Sequence, residues 1–145
     1  MTQTAPALPS RYDNVAVALH WLTVVIVLFQ FGSALIWEDL ARPTHRALVQ
    51  AHMSFGVTLA AIVVARLVWR AMPAHRVAPA VSGLQGLATL AVHWGLYAML
   101  AVQAVLGVLL PWTEGRSLFV FGLRVAGPGG FGSRPLNEAL GEVHE

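Results

Sequence analysis

A chain of 145 residues with 57% apolar and only 11% charged side chains is far from a soluble domain, in which about a quarter of residues are charged. It reads as an integral membrane protein. With no cysteine, disulfides, thiolate-bound iron–sulfur clusters and cysteine-attached haem are excluded. The net charge of +2 arises from nine arginines placed singly at the ends of apolar runs. That scatter suits anchoring at a membrane surface and excludes nucleic acid as a partner.

In chain order, residues 1–13 carry Pro6 and Pro9 and no short apolar core, which predicts a disordered lead. The apolar run that follows is too long for a signal-peptide core and predicts a retained helix. A spanning helix needs roughly 20 apolar residues, and three stretches supply them: residues 15–37, 48–69 and 87–112. Their β-branched content does not argue for strands, because a lipid-spanning segment must satisfy its own backbone groups. Trp37, Trp69 and Trp112 close the three runs, as an interfacial tryptophan belt would. Connections are expected over 38–47 and 70–86. A longer loop over 113–136 contains "SLFVFGL" and "GPGGFGS", and is expected to cap the bundle at the interface or to be flexible. Residues 137–145, "NEALGEVHE", read as the polar lead-in to a fourth helix. The fold class is therefore all-α, an integral membrane helical bundle forming one domain. Orientation stays open, because Arg11, Arg66, Arg70 and Arg76 fall on one side and Arg42, Arg46, Arg116, Arg124 and Arg134 on the other.

His20, His52 and His93 each lie a turn or two inside a span. An ionisable residue there is costly and points to function. The competing reading is a packing or interfacial histidine, and for any one of them the two are evenly matched. One histidine in each of three spans favours ligation. Alternating helix directions put His20 and His93 at one level and His52 at another, about 15–20 Å away. No single metal can join them, and a zinc site of about four ligands does not fit. Haem needs only one or two imidazoles and an apolar slot. Gly56 shares a helix face with His52 and offers room for a ring, although ordinary helix packing explains it better. Arg66 falls near the level of His20, where it is placed either to pair with haem propionates or to snorkel. His45 and His75 are expected to be solvated loop residues without a role.

The stretches "RYDNVAVALHWL", "AHMSFGVTLAAIVVARLVWR", "VHWGLYAMLAVQAVLGVL", "SLFVFGL" and "NEALGEVHE", in this order, resemble the bacterial cytochrome b561 family. These are four-helix dihaem proteins of the inner membrane, and they include superoxide oxidase. The resemblance implies haem b bound by His52 and His144 near the outer face. It also implies a second haem at His20, paired with a histidine further along a fourth helix. Because this chain stops just past His144, that helix is expected to be missing and haem loading to be incomplete, with His93 geometrically able to substitute. Paired imidazoles close both axial positions of iron, so such haems carry electrons and do not bind oxygen. The implied function is electron transfer to or from ubiquinone, with superoxide as donor in one branch. An anionic donor would favour Arg42, Arg46, Arg116, Arg124 and Arg134. The alternatives are a cytochrome b anchor docking a redox partner subunit of the hydrogenase or formate dehydrogenase type, and a haem-free membrane interaction protein surrounded by lipid.

Overall fold

In the computed structural model, residues 11–75 and 81–144 are described. Helix α1 (Asn14–Ile36) is capped by Asp13, whose carboxylate accepts the Ala16 N–H at 2.9 Å. The same carboxylate accepts the Trp69 indole N–H at 3.1 and 3.2 Å. One side chain thus starts α1 and ties it to the far end of the next helix. Of the lead expected over 1–13, residues 1–10 lie outside the described residues, and Asp13 is part of the fold.

Helix α2 (Arg42–Ala71) begins about one and a half turns earlier than its apolar run. Pro43 explains this, because proline fits the first turn, where its missing N–H leaves no hydrogen bond unmade. The connection expected over 38–47 shrinks to a short turn around Trp37–Asp39, and His45 is helical instead of lying in a loop. Helix α3 (Gly83–Thr113) likewise outruns its apolar stretch. Hydropathy marks the lipid-facing length of a helix, whereas backbone geometry sets its ends.

All three helices are long and apolar enough to cross a membrane. Helix α2 sits between α1 and α3, which share no packing among the described residues. Ile26, Leu59, Ile62 and Val63 form the buried cluster, with Tyr97 and Leu100 of α3 against it. Leu28, Leu35, Leu87 and Val92 face outward, as lipid-facing side chains should. The buried polar residues are Thr23, Ser33, Ser54 and Thr113. Each donates its hydroxyl proton to a carbonyl of its own helix, at 2.7 to 3.0 Å, which satisfies it without water. Their lone pairs remain available to neighbours.

The segment expected as a loop over 113–136 contains a hairpin. Strand β1 (Leu118–Val120) pairs antiparallel with β2 (Leu123–Val125), Val120 opposite Leu123. Phe121 and Gly122 make the turn with φ of 48° and 82°, the double positive φ of a type I′ hairpin. Ser54 on α2 accepts the Phe121 N–H at 2.9 Å, Phe121 packs edge-on to Phe55, and Leu118 is buried. The hairpin therefore caps the bundle. Beyond it, the Gly127 backbone lies on the Trp112 ring so closely that a Cβ would collide with it. Trp112 is thus half-buried under the chain and is not a free interfacial anchor. Helix α4 (Arg134–His144) starts a few residues before 137 and packs on α3.

Candidate functional site

Two groups of histidines emerge, near opposite ends of the bundle. At the first, His52 of α2 faces His144 of α4 across 6.3 Å between ring centres, with ring planes at 81°. Two imidazoles bound to one iron from opposite sides, each nitrogen about 2 Å from the metal, have ring centres about 6 Å apart. The spacing of the two rings therefore matches that of two imidazoles sharing one iron. His52 Nδ1 lies 3.0 Å from Ser33 Oγ. Ser33 Oγ also lies 3.0 Å from the Gln30 carbonyl, and with its proton there Oγ accepts and His52 Nδ1 donates. That tautomer leaves Nε2 unprotonated, the state a ligand nitrogen needs. Trp37 packs edge-on against His52, ring centres 5.0 Å apart, and walls the site. On the α3 side a Cβ at Gly107 would lie 3.2 Å from His144 Cε1, so glycine is what lets α4 bring its histidine in.

Gly56 does not open onto this pair. A Cβ there would meet the Gln30 amide nitrogen at 2.9 Å, so the gap admits Gln30 from α1. The Gln30 amide oxygen is buried with no hydrogen-bond partner among the described residues.

At the second pole, a cavity of about 380 Å³ is lined by His20, His93, Arg66, Tyr12, Trp69 and Tyr97. His20 and His93 share it, as expected from helix direction. Arg66 donates to Thr23 Oγ at 3.2 Å and reaches His20 Nδ1 at 3.3 Å; its guanidinium also lies over the Tyr97 ring at 5.9 Å. Arginine can only donate, so His20 Nδ1 accepts and the proton of the neutral ring sits on Nε2. His93 shows the opposite pattern: its Nδ1 donates to the Thr89 carbonyl at 2.7 Å, leaving Nε2 without a proton. Ser33 meets His52 and Arg66 meets His20. Either helix then places the two poles about 20 Å apart.

His45 is half-buried and stacked on Trp37 at 6.4 Å with planes at 21°. The His75 side chain lies outside the described residues. Sequence reasoning missed Ser33, Trp37 and Gly107. Their signals were present as a small polar residue and a glycine inside apolar runs, and as a tryptophan credited only with anchoring.

The family model described as prokaryotic cytochrome b561 matches residues 11–145. A curated relative, cytochrome b561 homolog 2 of Escherichia coli strain K12, is 30% identical over 117 residues, which is 79% of this chain. The matched region spans 62% of that relative's length.

Proposed function

This chain belongs to the prokaryotic cytochrome b561 family, and from that premise we propose that it is a membrane b-type cytochrome that carries electrons between two poles of its helical bundle. The observation that carries the proposal is the facing pair His52 and His144 at 6.3 Å. Haem b, when bound there by His52 and His144, would supply one-electron chemistry. The chain's own residues do the rest. Ser33 accepts from His52 Nδ1 and keeps Nε2 free, and Trp37 shields the ring from one side. Gly107 leaves room for His144 to approach from α4.

The second pole fits a second haem less completely. His20 and His93 would hold the group from the same cavity, His93 offering an unprotonated nitrogen, and Arg66 would supply a cation beside His20. The acceptor in this reading is ubiquinone. The finer donor assignment, superoxide, follows the resemblance to the superoxide oxidase branch. It is tested by superoxide-dependent ubiquinone reduction in proteoliposomes.

The direct test is haem per chain with a reduced-minus-oxidised spectrum for the parent and for His52→Ala and His144→Ala. Loss of one low-spin haem signal in both variants is expected. Full retention in His144→Ala overturns the ligand pair, and a colourless parent overturns the cytochrome reading.

A further inference from the structure

A second cavity, of about 500 Å³, lies between the first turns of α2 and the hairpin, and none of the proposed haem ligands lines it. Its polar end is basic: His45 and Arg46 come from α2, and Arg116 and Arg124 come from the far side. Arg116 is ion-paired with Glu114, and among the described residues Arg46 and Arg124 have no carboxylate partner. Arg124 donates its Nε–H to Ser117 Oγ at 2.7 Å, and Arg46 donates its Nε–H to the Arg42 carbonyl at 3.4 Å. The Arg124 Nε is anchored, the Arg46 contact is longer and weaker, and among the described residues the terminal amino groups of both are without a partner. A guanidinium fixed at Nε with its fork open is pre-organised for two oxygens of one anion.

The same cavity is also lined by the apolar Val49, Met53 and Phe119, the first two lying further along α2 than Arg46. From Arg46 to Met53 the helix rises about 10 Å, roughly the distance from headgroup level into the hydrocarbon. A small soluble anion would use only the basic half. A cleft that is cationic at the interface and greasy below matches a lipid with a charged head and an acyl chain.

We propose that this groove binds the phosphate diester of an anionic phospholipid, with the Arg46 and Arg124 forks on the phosphate and the first acyl segment over Val49, Met53 and Phe119. The shared chemistry is an anionic phosphate group, and the lipid is distinguished from free phosphate by the apolar floor. His45, stacked on Trp37, forms the wall between this groove and the His52 site, so lipid occupancy would also brace Trp37.

Native mass spectrometry of the delipidated protein, titrated with phosphatidylglycerol or phosphatidylcholine, tests this. Phosphatidylglycerol is expected to form a one-to-one adduct at least about tenfold tighter than phosphatidylcholine, which has the same phosphate diester but would bring its choline cation beside Arg46, Arg116 and Arg124. Arg46→Gln with Arg124→Gln should erase that preference, and the lysine pair should lose part of it, since charge remains and the fork does not. Millimolar inorganic phosphate should leave the lipid bound. Equal binding of the two lipids, an undiminished preference in the glutamine pair, or displacement by inorganic phosphate each overturns the proposal, the last by assigning a soluble anion to the groove. The outcome is separable from the haem reading, because His52→Ala is expected to lose haem and keep the lipid adduct.

Discussion

The two histidine poles are built from the same side chains and differ in what holds the second ring nitrogen. At His52 a serine oxygen accepts from Nδ1, and at His20 an arginine donates to it. The first arrangement presents a bare Nε2 to a metal, and the second presents an N–H. The surroundings differ in the same sense. His52 has an imidazole facing it, a tryptophan beside it and a capping hairpin held by Ser54 on its own helix. His20 and His93 border a cavity, both exposed. A histidine in a membrane span is therefore not a ligand by virtue of position; the neighbour on its other nitrogen decides its state.

The largest expected effect is at the better-built pole. His52→Ala should abolish its haem signal, whereas His93→Ala should leave that signal intact. Equal losses in the two variants, by haem content per chain, would erase the distinction between the poles. Next comes Ser33→Ala. It removes the acceptor on Nδ1, and losing such a partner typically weakens metal binding about 10- to 100-fold. Haem titration should show that drop, and Thr23→Ala at the other pole should not reproduce it at His52. Gly107→Leu is expected to push His144 off its position and lower haem occupancy by about half or more, since a side chain cannot enter the 3.2 Å gap without displacing the ring.

The hairpin gives smaller and purely structural effects. Ser54→Ala leaves the Phe121 N–H without its partner and should cost about 0.5–1.5 kcal/mol, the net range for a hydrogen bond at a partly exposed turn. A raised rate of amide exchange at Phe121 would report it. Gly122→Ala forces a side chain onto a φ of 82° and should cost about 1 kcal/mol, read as a slightly lower unfolding midpoint with haem content unchanged.

Much of this was legible from the residues in order. Three apolar runs of spanning length gave the helices, and their alternation put His20 and His93 together with His52 far away. Pairing His52 with His144 came from resemblance, because nothing in the spacing alone brings residue 144 back to residue 52. The hairpin was not visible, since "SLFVFGL" carries Phe-Gly at its turn, where Asn-Gly or Asp-Gly would have announced a type I′ hairpin. The early start of α2 was hidden for a similar reason: "RPTHR" is polar, and hydropathy does not register where a backbone begins to coil.

By itself, then, the sequence determined a three-span helical membrane protein with ionisable rings at two depths, because lipid imposes length and internal hydrogen bonding on any chain that crosses it. Only the tertiary structure decided which ring nitrogen is free. That depends on a hydroxyl from α1 meeting a ring on α2 and a guanidinium on α2 meeting a ring on α1. Such contacts join residues far apart in the chain, and their direction of proton donation is set by the partner's chemistry, which no periodicity records.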